Sequence, residues 1–379
     1  MKKQEFKLPF IGYDYGDENG FPYDVLIGEQ GNPILALKIR NIVEQYSADG
    51  EGYLRYHKAL LNVVSTIGEN HIVQKIDIFA KKVYESEPQE EYLQQTYSDH
   101  FAGRKFKTID TILCFTDITT VGKKKKKYVF SELKYKDLRE KFDKVFLTLK
   151  EEGFEPQYFK EADFEYYLSS MLSMNFDRKH KTYDNFKSFD THIKIGSNFV
   201  KTISFVDVED IKLPNEIHPY SLLGGNNATK NTAVDNFSFI NTLEDYETII
   251  YNQVIYVPDQ VERQKFLANK KNKHEGFQNE PLNKICADEI ELLLKNIVVD
   301  GQLIVDAHFS LMVCCEDLEK LEKNSSTIDN QLYKKGIITS KGAYNQLELY
   351  RSLLVGNATE LKDYDLFTTT SEASLCFFF

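Results

Sequence analysis

The chain has 379 residues, 42% of them hydrophobic and 28% charged, with a net charge of -11. This composition excludes a disordered chain, and the acidic balance argues against a domain that grips duplex phosphates over a wide face. The five cysteines lack zinc-finger spacing and read as reduced thiols of a cytosolic protein, while no apolar run reaches the length of a membrane span and the N-terminus does not read as a signal peptide.

Taken in order, residues 24–41 read as two strands joined by a Gly-Asn-Pro turn. Residues 53–68 place Tyr53, Tyr56, Leu60, Val64 and Ile67 at helical spacing. The stretch 71–79 alternates Ile76 and Ile78 with Lys75 and Asp77, the pattern of a half-buried strand. A helix over 88–101 is expected to stop at Gly103, and 108–120 to form a strand. Helices follow over 131–152, with Leu138, Phe142, Val145 and Leu149 on one side, and over 161–175. Residues 178–188 read as a linker, 189–207 as two strands, and 222–236 as a long polar loop. In the last third, 281–298 is a helix and 303–315 a strand of clean period two. Helices are expected over 317–334, ending at Gly336, and from about Ser340 to Leu354. The closing "SEASLCFFF" reads as turn and strand, with 374–379 an inner strand beside 303–313. The fold class is α+β: mixed or antiparallel sheets covered by helices, in two to three subdomains spanning 1–177, 178–275 and 276–379, without a RecA-like motor.

Motifs that carry chemistry are scarce. "GGNNATKNT" (224–232) sets Lys230 at P-loop distance from Gly224, yet Thr229 stands where the second Gly belongs and Asn231 where the Ser or Thr belongs. It reads as a surface loop. Lys123, Lys124, Lys125, Lys126 and Lys127 form a basic run, a solvated hairpin tip in the bland reading and a contact to anionic lipid or nucleic acid in the functional one. His308 and Cys314 share a strand face but sit six residues apart, roughly 20 Å in extended chain, too far to share a metal without other ligands. With Cys315 they read as a satisfied polar histidine and buried thiols. His100 and Arg104, four apart at a helix end, suit carbonyl capping or a carboxylate partner. No catalytic, cofactor-binding or metal constellation can be named.

Two signatures do point to a family. "YLRYHKALLNVVSTIGENHIVQKIDIF" ends in a D-x-F-like signature at Asp77, and "SDHFAGRKF" holds an H-F-x-G-R-like one in His100, Phe101, Gly103 and Arg104. With "TILCFTDIT", "YNQVIYVPD" (251–259), "LIVDAHFSLMV" (303–313) and "SEASLCFFF", they resemble, in the same order of elements, the N-terminal region of conjugative-transfer ATPases of type IV secretion systems, nearest the TraG type of Bacteroides conjugative transposons. The resemblance implies a cytoplasmic protein peripheral to the inner membrane that docks onto channel subunits, self-associates and supports oligomerisation of a motor for DNA transfer. It implies ATP and magnesium only in a motor domain expected beyond this sequence, so that this chain is not itself an enzyme. No strong direct DNA binding is expected, and the signature residues are expected to be structural. Two rivals stand beside it: a self-contained enzyme with its site at 208–240, and a mobile-element structural protein.

Overall fold

The structure, a computed structural model, describes residues 6–41, 49–86, 88–118, 131–177, 183–205, 217–223, 232–277, 280–340, 342 and 344–378. The first half runs β1 (Phe10–Asp14), α1 (Gly16–Asn19), β2 (Val25–Gly28), β3 (Pro33–Ile39), α2 (Gly50–Ile67), β4 (His71–Val83), α3 (Tyr92–Phe101), β5 (Lys105–Asp117), α4 (Glu132–Glu151), β6 (Gln157–Tyr158) and α5 (Glu161–Ser173). The second runs β7 (Phe186–Ser188), β8 (Ile193–Ile195), β9 (Asn198–Ser204), β10 (Tyr220–Leu223), β11 (Thr232–Asp235), β12 (Thr248–Val257), α6 (Gln260–Glu275), α7 (Pro281–Asp300), β13 (Ile304–Cys315), α8 (Leu318–Tyr333), α9 (Gln346–Ser352), β14 (Phe367–Thr370) and α10 (Ser371–Leu375).

Among the described residues one 12-stranded sheet has the order β1-β2-β3-β5-β4-β12-β13-β9-β8-β7, with β14 paired to β13 and β6 to β3. Its pairs are antiparallel, so the α+β reading holds. The sheet draws strands from each of the segments 1–177, 178–275 and 276–379. Helices cover both faces. On one, α2, α4, α8 and α10 pack over the odd-numbered positions Val73, Phe79, Tyr251, Phe309 and Leu311. On the other, α5 and the end of α9 pack over Ile76, Ile78, Ile250, Met312 and Cys314.

That three-layer arrangement corrects the reading of 71–79. β4 is buried on both faces, Lys75 and Asp77 included, because helices cover each side and leave no solvent face for alternation to mark. The strand expected at 303–315 is Ile304–Cys315, and it is likewise buried at every position. Three further expectations change. Residues 186–188 form β7 rather than a linker. The helix expected from Ser340 is only Gln346–Ser352. The segment before it is pinned to β9: Ser340 N–H donates to Ser204 O (2.8 Å), and the Gln346 amide takes Thr202 N–H (2.8 Å) and donates to Thr202 O (2.9 Å).

The third concerns the closing phenylalanines, which are not an inner strand. The sheet partner of β13 here is Phe367–Thr370, and 371–375 turns into α10. The Thr370 side chain accepts from Ala373 N–H at 3.3 Å and caps that helix. The N–H groups of Phe377 and Phe378 then bond to Ser374 and Leu375 carbonyls rather than to a ladder. The run is nevertheless inside the protein. Phe377 stacks on Phe309 with centroids 4.6 Å apart, and the Tyr251 hydroxyl donates to Phe377 O at 2.6 Å. Phe379 lies outside the described residues.

Candidate docking surfaces

The two family-like signatures fold into different settings. Asp77 sits at the centre of the sheet. It accepts from Lys75 Nζ (2.5 Å), Gln253 Nε2 (2.5 Å), Thr111 Oγ1 (2.6 Å) and Asn41 Nδ2 (3.3 Å), and so ties β3's end, β4, β5 and β12 together. Lys75 is fully buried, and burial pulls its ammonium below the usual range while Asp77 pulls it back up. The Phe378 ring lies 5.9 Å from that ammonium. On the opposite face of β4, Gln74 donates to Asn252 Oδ1 (2.8 Å) and Ser352 O (2.9 Å) and accepts from Gly356 N–H (3.0 Å). Gly356 adopts φ +72°, and a Cβ there would meet Ile34 at 2.5 Å, so no other residue fits. These satisfied groups hold the sheet and present nothing to a ligand.

His100, Phe101, Gly103 and Arg104 are instead displayed. β4 and β5 run on past β12, whose register on β4 ends at Ala80, and form an arm tipped by α3. Gly103, at φ +78°, turns the chain back, and its N–H donates to Tyr84 O at 2.9 Å. Arg104 reaches His100 Nε2 at 3.1 Å and lies 5.0 Å over the Phe101 ring, which contacts Tyr97 at 4.7 Å. Asp99 accepts from Ser86 (2.5 Å) and Gln95 (2.8 Å), bonds that hold its carboxyl below the usual range. The tip is therefore braced, yet Tyr92, Leu93 and Tyr97 stand 69–82% exposed. Braced aromatic and arginine side chains have the composition of interface hot spots.

The second surface is the α6–α7 hairpin. Its root is clamped to the sheet: the Gln260 amide bonds both Ile304 N–H (2.8 Å) and Ile304 O (2.9 Å), and Arg263 binds Asp306 and Thr368. Leu267, Ile297 and Ile304 close the space between the helices, aided by Lys271–Glu291 at 2.8 Å. Only Ala287 and Ile297 of α7 are fully buried, and Leu282, Ile285, Leu292 and Val299 remain 53–70% exposed. β12 pairs antiparallel with β4, Thr248 opposite Ala80 and Val257 opposite His71. α3 follows the far end of β4 and α6 the far end of β12, so the two apolar surfaces lie at opposite ends of these strands, roughly 30 Å apart along a ten-residue strand.

Other sequence candidates fall elsewhere. Lys123 to Lys127 and Gly224 to Asn231 lie outside the described residues; the ends of the 222–236 loop form the hairpin β10–β11. His308 is fully buried with Nδ1 2.8 Å from Asp365 O, while its Nε2 is buried without a hydrogen-bond partner among the described residues, so the expected satisfied histidine is met at one ring nitrogen only. Cys314 and Cys315 are buried free thiols, and burial pushes both up. A cleft of about 720 Å³ opens beside β10 between Leu54, Tyr220, Leu222, Phe237, Lys335 and Ile337. Sequence reasoning missed both exposed apolar surfaces. The exposed apolar residues of α7 were legible as a helix but not as two separate stripes, and the aromatic run of α3 carried no alternation to judge.

Among the described residues no helix is long and apolar enough to cross a membrane, and no cluster of His, Cys, Asp or Glu could hold a metal ion. A search of the curated proteins finds no match. Residues 229–360 match the model of a family described as CagE, TrbE, VirB family, component of type IV transporter system. The match takes in β11 to α9, with the whole α6–α7 hairpin and two of the stretches that carried the resemblance, 251–259 and 303–313. Over these residues the chain is similar to a component of a type IV transporter system.

Proposed function

We propose that this chain is the non-catalytic N-terminal region of a conjugative-transfer ATPase of the TraG type, as in Bacteroides conjugative transposons. It docks onto inner-membrane subunits of the secretion channel and onto copies of itself, on the cytoplasmic side of that membrane. The observation that carries this reading is the pair of braced, apolar, exposed surfaces at opposite ends of one sheet. Exposed apolar patches on rigid elements mark interaction sites. The chemistry of the site residues supports it too: Asp77 is consumed by the sheet, and His100 and Arg104 bond each other.

Catalysis belongs elsewhere in this reading, with ATP and magnesium bound by a motor domain and not by these residues. Purified chain with Mg-ATP is expected to release phosphate at the buffer rate. Turnover abolished by Lys230→Ala would overturn that. Direct DNA binding is expected to be weak and salt-sensitive; sub-micromolar affinity at physiological salt would contradict it.

The rival enzyme reading draws on the cleft beside β10. Among the described residues of that cleft, Ser221 donates to Asn236 Oδ1 at 2.6 Å rather than to His218. Asp235 is held by Tyr53 and by Phe237 N–H and does not line the cleft.

A further inference from the structure

The free face of α7 has a pattern of its own. The stripe packed with Leu267 of α6 holds Ile290, Leu293, Leu294 and Ile297. On the other side Leu282, Ile285, Glu289, Leu292, Asn296 and Val299 follow each other at spacings of three and four residues. That is the seam of a coiled coil, with Leu282, Glu289 and Asn296 at one core position and Ile285, Leu292 and Val299 at the other. Asp288 and Lys295 flank it, one heptad apart and both exposed.

We propose that this seam takes the α7 of a second copy of the chain, antiparallel, so that two α6–α7 hairpins pack back to back through their α7 helices. The inference rests on the self-association part of the function proposed above. The seam is self-complementary in one register. With the two-fold axis between Ile290 and Glu291, Leu282 meets Val299 of the second copy, Ile285 meets Asn296, and Leu292 meets Glu289. The same register sets Asp288 against Lys295 of the second copy twice, once on each side of the axis. A parallel pairing instead stacks Glu289 on Glu289 and loses both flanking ion pairs, and like charges at facing positions repel. The polar core residues Glu289 and Asn296 fix the register at a cost in strength, so the pairing is reversible rather than permanent. Because Gln260 and Arg263 clamp the hairpin root, the paired hairpins would hold two sheets in a fixed relation with the α3 tips pointing outward.

Analytical ultracentrifugation of the full chain tests this. Wild type should show a monomer–dimer equilibrium, and Leu292→Glu should be monomeric with an unchanged circular dichroism spectrum. Asp288→Lys alone and Lys295→Asp alone should each weaken dimerisation by about tenfold, as two interfacial ion pairs turn repulsive. The double variant should restore it, since the swapped charges meet again across the axis. Dimers that survive Leu292→Glu, or a double variant no better than the singles, would overturn the α7 seam while leaving self-association through another surface. A wild-type monomer at every concentration would overturn self-association itself, and a seam filled by a channel subunit instead would show as Leu292→Glu abolishing subunit capture. In either case docking at α3 is decided separately by subunit capture.

Discussion

At the residue scale, the most consequential side chains are charged ones in the interior. Lys75 and Asp77 looked like the solvent face of a strand, since an alternation of Ile with Lys and Asp is what such a face produces. The sequence carries no sign that helices cover both sides of that strand. Removing one member of a buried pair leaves the other unpaired, so Asp77→Ala is expected to cost about 3–5 kcal/mol in urea denaturation. Lys75→Met with Asp77→Leu should cost much less, because no buried charge remains. Equal losses for both variants would show that packing, not charge, sets the effect. Two other buried groups oppose each other in pH. Burial raises the Asp235 carboxyl to about 7, and burial with the Lys75 ammonium lowers His57 to about 3. The folded state thus holds the Asp235 proton more tightly than the unfolded chain. That contribution is complete below about 3.8, the ordinary carboxylate value, and is lost as pH rises through about 7. His57 is the reverse: its contribution is complete above 6.5 and is lost as pH falls toward about 3. Between these limits the two slopes offset. Asp235→Asn should unmask the histidine slope, with a Tm that climbs from pH 4 to 6.5 more steeply than in wild type. A profile parallel to wild type would contradict the assignment.

At the element scale, helices with one apolar stripe were the most legible parts. α2, α4 and α8 stand close to where periodicity put them, and α2 has a side-chain cap, Asp49, which accepts from Gly52 N–H at 3.1 Å. The chain's closing residues were not legible. "SLCFFF" is apolar on every side, and strand and buried helical turn cannot be told apart by periodicity in so short a run. The Thr370 cap, four residues before Ser374, was the available signal. What the residues bury survives the correction: Leu375, Phe377 and Phe378 close the core over Tyr251 and Phe309. Burying each is worth about 1.5–3 kcal/mol. Deleting Ser374 to Phe379 should therefore lower the melting temperature markedly and cause aggregation through the uncovered aromatic floor. Unchanged melting with monodisperse light scattering would show that the segment adds nothing to the fold.

At the scale of the whole molecule, one sheet carries an exposed apolar surface beyond each end of its central strands. The α+β class was legible because strands and helices alternate with hairpin turns. The single sheet was not, because Thr248 of β12 pairs with Ala80 of β4 on one side and Cys314 of β13 on the other, partners far apart in sequence, and no local pattern reports such pairing. The exposed apolar ends were not legible for a related reason: exposure of an apolar residue is set by what fails to cover it. The central claim is that α3 holds inner-membrane channel subunits independently of α7. The most direct measurement is the affinity of those purified subunits for three proteins: wild type, a tip variant (Tyr92→Ser, Leu93→Ser, Tyr97→Ser) and the hairpin variant Leu292→Glu. The tip variant is expected to bind at least about tenfold more weakly while still dimerising, and the hairpin variant to bind each subunit as wild type does. Undiminished binding by the tip variant, with its fold intact, would contradict the claim.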